Sequence, residues 1–426
     1  MISLLWTVDC GLWVASTMIP LPSLFLVFLY LPLTLAADYE VTIDAPFARI
    51  AFGSCHKNTK AQPTIWNSIL ALQPHLWLWT GDAVYAPMRK VAPVQVLREE
   101  YAQLLNYEPY QRLHHAVPTF GTWDDHDYGG NDMGDGMPNK EARADAFFDF
   151  LGQTRRPDRA GVYHSLRVHV GNVTNVRVLF LDTRWHRQEH CIPSVATWFP
   201  LGAGIACVSR WLSAGLWPAL CRGGSILGAE QWSWLERELE SSSDVVNQTI
   251  VVSSIQVLTT NPAMESWGQY PEERERLVKL LHKHSALILS GDVHHAEVSQ
   301  AGGLTEVTSS GLTHTCRNAI YGPVCTPLLE TFRSHRRSRD DYFLERNFGT
   351  IDLWADERRF QVNVHNEEGS IVLTTERQPL GSTMDAPSSL PECMDGHLQR
   401  PTMIVALFVF ALFILVRRRI GKSKTE

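Results

Sequence analysis

Leu76-Trp77-Leu78-Trp79-Thr80-Gly81-Asp82-Ala83-Val84-Tyr85 is the stretch from which the rest of the chain can be read. Its first five residues offer bulky or β-branched side chains on both faces, and the run stops at a Gly-Asp turn. That is the pattern of a short strand buried on both sides. A carboxylate follows at once, and a phenol stands three residues beyond it. The same form recurs along the chain. Ile50-Ala51-Phe52-Gly53 runs into Ser54-Cys55, and Phe120-Gly121-Thr122-Trp123 into Asp124-Asp125-His126-Asp127. Val178-Leu179-Phe180-Leu181-Asp182 runs into Thr183-Arg184, and Leu287-Ile288-Leu289-Ser290-Gly291 into Asp292, Val293, His294 and His295. Strand ends that deliver polar side chains are where α/β folds place their sites.

Helical periodicity alternates with these runs. Gly228 to Leu239 sets Trp232, Leu235 and Leu239 on one face, and Pro271 to Lys283 does so with Leu277, Leu280 and Leu281. Later come Leu304 to Thr308, Thr350 to Trp354, Phe360 to Val364 and Ser370 to Thr374, which read as strands without helices between them. A second sheet is therefore expected to pack on the first. The expected class is α/β, with two packed β-sheets flanked by helices in an αββα sandwich. No internal repeat is visible.

Composition narrows the function. Of 426 residues, 45% are hydrophobic and only 19% charged, so the chain has ample apolar surface to bury and is not intrinsically disordered. A net charge of -7 leaves no global positive field for a nucleic-acid backbone, so no nucleic acid is expected as a stable partner.

The donors at the strand ends form a mixed set. A thiolate and a phenolate suit a small, highly charged ion such as Fe(III), whereas carboxylates suit a harder divalent neighbour. A bridging carboxylate can join the two. Two cations about 3.5–4 Å apart activate water and stabilise both the attacking and the leaving oxygens of an in-line displacement at phosphorus. Each residue alone has a plainer reading: Cys55 as core or disulfide, Tyr85 as packing, His126 and His294 as partnered histidines, Arg184 as half of an ion pair. Their concurrence, in order, at successive strand ends favours the metal centre.

These motifs together give the chain a family likeness. Phe52-Gly53-Ser54-Cys55, Gly81-Asp82-Ala83-Val84-Tyr85, Trp123-Asp124-Asp125-His126-Asp127, Leu181-Asp182-Thr183-Arg184, Leu227-Gly228-Ala229-Glu230-Gln231-Trp232, Ser290 to Ala296 and Ser309-Ser310-Gly311-Leu312-Thr313-His314 run in sequence. Over about Phe52 to Val364 the chain resembles the alkaline phosphatase D (PhoD)-like phosphatases of the calcineurin-like metallophosphoesterase superfamily. The resemblance implies a dinuclear metal centre, Fe(III) plus a divalent ion (Ca, Zn, Mn or Mg). Cys55, Asp82, Tyr85 and His294 would surround the first ion, and Asp82 would bridge to a second held by Asp125 and Asp292, with Asp124 a further ligand. It also implies His126 as the catalytic histidine, Arg184 as a group for a phosphoryl oxygen, and His314 facing the substrate. The implied activity is phosphomonoester or phosphodiester hydrolysis. The alternatives are a hydrolase restricted to nucleotide or lipid phosphoesters, or a glycosylated surface protein with the fold and no turnover. No expected ligand is missing, which disfavours the last.

The ends suggest a membrane-tethered protein. Residues 1–37 contain no Lys or Arg and close on Leu33-Thr34-Leu35-Ala36-Ala37, as a signal peptide would; Pro20, Pro22 and Pro32 keep a retained anchor open as the alternative. The hydrolase domain is expected over 38–378 and a stalk rich in Pro, Ser and Gly over 379–400. A membrane-spanning helix is expected over 401–416 and a cytoplasmic tail over 417–426, led by Arg417-Arg418-Arg419. A lipid-anchor signal or a buried core helix is the alternative for 401–416. The arrangement is single-pass type I, with the catalytic domain lumenal or extracellular. Sequons at Asn172 and Asn247 agree with it. Cys10 falls in the leader and Cys55 is assigned to metal, leaving six cysteines for an oxidising compartment, of which Cys316 and Cys325 close the shortest loop. Between Arg184 and Gly228 lies a long apolar stretch with Trp198 and Phe199. It reads either as thickened core or as a lid for amphiphilic phosphoesters, restrained through Cys191, Cys207 and Cys221.

Overall fold

The structure is a computed structural model, and it describes residues 37–382 apart from 59–63, 87–90, 172–173, 191–205, 211–212, 214–223, 241–245, 263, 318–321 and 332–334. Two sheets carry the fold. In spatial order the first holds Tyr39–Ile43 (β1), His164–Val170 (β5), Thr174–Phe180 (β6), Gln248–Ser253 (β7), Leu287–Ser290 (β8), Leu304–Ser309 (β10), Ala296–Ala301 (β9) and Tyr342–Phe343 (β11). The second holds Ile371–Thr374 (β14), Arg359–Asn366 (β13), Asn347–Trp354 (β12), Phe47–Gly53 (β2), Leu76–Thr80 (β3) and Thr119–Thr122 (β4), with Gln378–Pro379 (β15) paired to β13. Strands β2, β3 and β4 run parallel, as do β6, β7 and β8. Their carboxyl ends supply the polar loops.

The two-residue repeat of a strand sorts its side chains between layers. From β3, Leu76 and Leu78 enter the core between the sheets with Ile50, Phe52 and Phe120, opposite Val178, Phe180, Ile250, Val252, Leu287 and Leu289. Trp77 and Trp79 face the other way, into an aromatic layer with Trp66, Tyr110, Phe147 and Phe150 under the helices Ile65–Ala71, Glu108–Ala116 and Lys140–Leu151. Beyond the first sheet, Val251 and Ile288 join Trp232, Leu235, Leu277 and Leu281 from the helices Gly228–Glu240 and Pro271–Lys283. The layers are thus helix, sheet, sheet, helix. Central strands read as unbroken apolar runs because both of their faces are covered. The helix Pro271–Lys283 begins with proline, Glu272 and Glu273 and ends with His282 and Lys283, each sign matching its end of the helix dipole.

Three expectations need correction. Leu304–Ser309 lies in the first sheet, parallel to β8, because the tight Gly302-Gly303 turn folds it back on β9. A helix, Gly322–Thr331, then intervenes before β12, and β12 joins β2 antiparallel, so the C-terminal strands extend the sheet that holds β2, β3 and β4. Pro379, read as the start of a stalk, pairs instead with Arg359, and the Leu380 N–H donates to the Arg358 carbonyl at 2.8 Å. Residues 1–36 and 383–426, which carry the expected leader, span and tail, lie outside the described residues. Among the described residues no helix is long and apolar enough to cross a membrane. The disulfide between Cys316 and Cys325 forms, while Cys207 is unpaired. Trp198, Phe199, Cys191 and Cys221 lie outside the described residues.

Trp79 is buried and its indole N–H donates to the Tyr110 hydroxyl at 3.1 Å. Trp79→Ala should lower unfolding stability by about 3–5 kcal/mol, read from the denaturant midpoint; a loss below ~1 kcal/mol would show that the aromatic layer does not hold the helices to the second sheet.

Candidate metal centre

The loops after β2, β3 and β8 leave their strands through cramped turns. Cys55, Asp82, Asp292 and His294 all adopt positive φ, at 62°, 50°, 70° and 59°. Non-glycine residues held in that region cost of order 1–3 kcal/mol each, and such strain gathers where a site over-determines the backbone. Gly81, at φ +104°, cannot be replaced cheaply: a Cβ there would stand 2.7 Å from the Asp124 Cβ. Backbone bonds lace the loops together. The His56 N–H donates to the Asp82 carbonyl at 2.9 Å and the Gly291 N–H to the Ser254 carbonyl at 3.1 Å. Ser54 and Ser310 form a bridge between the end of β2 and the end of β10.

Asp127 organises two of these loops. Its carboxylate accepts from the backbone N–H groups of Ala83, Val84 and Asp124, and from the Tyr101 hydroxyl at 3.2 Å. In the sequence it looked like one more acid in Asp124-Asp125-His126-Asp127, and only the tertiary fold reveals that it binds backbone.

Ten side chains named from the sequence can now be placed. Cys55, Asp82 and His294 present donor atoms within 4.8 Å of one another. The Tyr85 hydroxyl joins them, donating to Asp82 Oδ2 at 2.8 Å and lying 2.9 Å from His294 Nε2. On the other side of Asp82, a second group unites Asp82, Asp124, Asp125 and Asp292 within the same span. His126 packs its ring on Tyr85, centroids 3.8 Å apart, and its Nε2 lies 3.8 Å from Asp125 Oδ1. The His314 ring stands 4.4 Å from that of His294.

Arg184 is the exception. Its side chain is 0% exposed, with Nε donating to Asp124 Oδ1 at 2.6 Å and NH1 to Glu265 at 2.7 Å. Its guanidinium is clamped between two buried carboxylates, Asp124 and Glu265. Glu265 and Asp132, which group with Asp125, carried no signal in the sequence because neither follows an apolar strand run.

The electrostatics suit cations. Burial and the mutual repulsion of Asp82, Asp124, Asp125 and Asp292 push the Asp82 and Asp292 carboxyls well above the usual carboxylate range. Burial takes Asp124 up to about 7 even though Arg184 opposes it. Burial also raises the Cys55 thiol and the Tyr85 phenol, and lowers His294 and His126. Asp124 Oδ2 and Asp125 Oδ1 are buried with no hydrogen-bond partner. Buried charged oxygens without donors are costly unless a cation meets them. Orphaned carboxylate oxygens, thiol, phenol and imidazole in one space therefore fit metal binding.

The family profile described as PhoD-like phosphatase matches residues 50–364. The chain belongs to the PhoD-like phosphatase family. Alkaline phosphatase D of Bacillus subtilis (strain 168) is 24% identical over 326 residues, covering 63% of this chain and 50% of the relative. The chain thus spans about half the length of that curated relative. A solved structure of PhoD superposes with a TM-score of 0.54 at 16% identity, covering 85% of this chain and 78% of the other, which supports the fold. The family match begins within β2 and ends within β13, so it takes in every strand end described above.

The raised carboxyls predict a pH dependence. Asp124 and Asp127, both pushed up to about 7 by burial, bind protons more tightly folded than unfolded. Their contribution to stability is present below the unfolded value of about 3.9 and is lost as pH rises through about 7. Chelator-treated protein should accordingly melt at lower temperature at about pH 8 than at about pH 5.5, and divalent cation should shrink the difference. Equal melting at both values would mean that the carboxylates are compensated within the protein.

Proposed function

We propose that the chain is a metal-dependent phosphoester hydrolase with a dinuclear centre, Fe(III) plus a divalent ion, held between the two sheets. The observation that carries the reading is the position of Asp82. It is the single carboxylate shared by the Cys55/His294 group and the Asp124/Asp125/Asp292 group, as a bridging ligand must be. Cys55, Tyr85 and His294 would hold one ion with Asp82; Asp124, Asp125 and Asp292 would hold the other with it. Cations bound there supply Lewis acidity and bring a water's pKa toward neutrality.

The remaining work falls to the protein. Cys55 is kept in place by Ser310, whose hydroxyl lies 3.0 Å from Sγ and also accepts from the His294 N–H at 3.0 Å. One hydroxyl thus fixes donors from two strand ends. The His126 backbone N–H donates to Asp82 Oδ1 at 3.2 Å, which ties the catalytic helical turn to the bridge. Burial holds the His126 imidazole below its usual range, so it is neutral at rest. A phosphate dianion alongside raises its proton affinity and makes it a donor to the departing oxygen. His314, beside His294 and Tyr85, borders the same space and would contact substrate.

A single-pass membrane protein with this domain on the lumenal or extracellular side is the setting that the sequence ends support. The Cys316–Cys325 disulfide agrees with an oxidising compartment. Amphiphilic phosphoesters are the substrates that the apolar stretch between Arg184 and Gly228 supports.

Asp82→Asn should remove metal and activity together, read by elemental analysis and turnover of an alkyl phosphoester. His126→Ala should spare the metal and lower turnover by about 10²–10⁴, with a smaller loss for aryl esters whose leaving groups need little protonation. An equal loss on alkyl and aryl esters would refute the proton-donor role. If the first ion is Fe(III), Tyr85→Phe should abolish a visible phenolate absorption band.

A further inference from the structure

Behind the second candidate cation position lies a buried charged layer that the reaction itself does not use. Glu265 is at its centre, on the loop that follows β7 and 3% exposed. Arg184 and Arg187 both contact its Oε1 at 2.7 Å. Arg184 reaches on to Asp124, whose Oδ1 also accepts from the Ser254 hydroxyl at 2.7 Å. On the other flank the Asp132 N–H donates to Asp125 Oδ2 at 2.9 Å, Arg187 donates to the Asp132 carbonyl at 2.9 Å, and Arg210 pairs with the Asp132 carboxylate at 2.7 Å. One carboxylate therefore ties together the groups that hold Asp124 from one side and Asp125 from the other. Each aspartate keeps one oxygen, Asp124 Oδ2 and Asp125 Oδ1, free of hydrogen bonds.

Asp125, Asp132 and Glu265 could be taken for a third cation site. Charge argues against it. Arg184, Arg187 and Arg210 already face Glu265 and Asp132, and a dication among three buried guanidinium groups would be repelled. An arginine-neutralised layer against metal carboxylates serves instead to orient them.

We propose that Glu265 is a positioning residue for the second metal ion: through Arg184 and Arg187 it fixes the rotations of Asp124 and Asp125 so that their free oxygens converge with Asp82 and Asp292. The inference rests on the dinuclear reading above. It predicts an effect confined to one half of the centre, because among the described residues Glu265 makes hydrogen bonds and ion pairs with Arg184 and Arg187 and none with Cys55, Tyr85 or His294.

The test uses metal-stripped full-length protein titrated with Co²⁺, whose thiolate charge-transfer band reports filling of the Cys55 side while calorimetry counts both equivalents. Wild type should bind two. In Glu265→Gln the band should saturate as in wild type while the other equivalent weakens by about 10- to 100-fold. Arg187→Lys, which loosens Glu265 from the side away from the ligands, should give a smaller loss in the same equivalent, and it decides the matter if Glu265→Gln does not fold. Unchanged binding of the second equivalent, or equal weakening of both, overturns the proposal. A wild-type protein that binds one equivalent overturns the dinuclear reading instead.

Discussion

Four carboxylates, Asp82, Asp124, Asp125 and Asp292, offer oxygens within 4.8 Å of each other, three of them buried and Asp292 partly so. At such separations in a medium less polarisable than water, like charges repel by several kcal/mol per pair. The chain cannot easily relax this by moving the groups apart, because Asp82 and Asp292 sit on strained turns at strand ends and Asp124 and Asp125 begin a helical turn capped by Asp127. Much of the surrounding architecture answers that constraint. The parallel strands bring the turns together, Asp127 draws backbone donors onto itself, and a layer of arginines offsets the acids farthest from the ligand space. What is left over is two buried oxygens without a hydrogen-bond partner, Asp124 Oδ2 and Asp125 Oδ1, and cations are the natural complement.

The division of labour between the sheets follows. Cys55, Asp82 and Asp124 come from the ends of β2, β3 and β4 in one sheet, and Asp292 and His294 from the end of β8 in the other. Neither sheet holds a full ligand set. The aromatic layer behind β3 and the mixed aliphatic and aromatic layer behind β7 and β8 each fix one half, and the site exists only where the halves face each other.

Much of this was legible in the sequence. The apolar runs ending in Gly-Asp or Ser-Cys located the strand ends, since a two-sided strand and a tight turn are both local properties. The helices Gly228–Glu240 and Pro271–Lys283 were visible because their apolar stripes and terminal charges repeat at helical spacing. What sequence could not give were facts of pairing. Leu304–Ser309 reads the same in either sheet, and only its register with β8 assigns it. Arg184 was placed at the right strand end, but its ion pairs with Asp124 and Glu265 were not legible, because their partners lie sixty or more residues away. Glu265 and Asp132 act through partners more than fifty residues away, Arg184 and Arg210 respectively, and no local pattern marks them.

The bridge between Ser54 and Ser310, together with Phe52 laid against Gly349, has a mechanical consequence. A Cβ at residue 349 would come within 2.1 Å of the Phe52 ring, so that ring fills its space with no slack. The two sheets are riveted a few ångströms from the ligands, and Phe52, in the apolar layer between them, is packed hard over Gly349 of its own sheet. Their separation therefore gauges the gap between the two halves of the metal centre, and a swelling or shrinkage of the apolar filling would be felt first as a change in how well the site grips its ions.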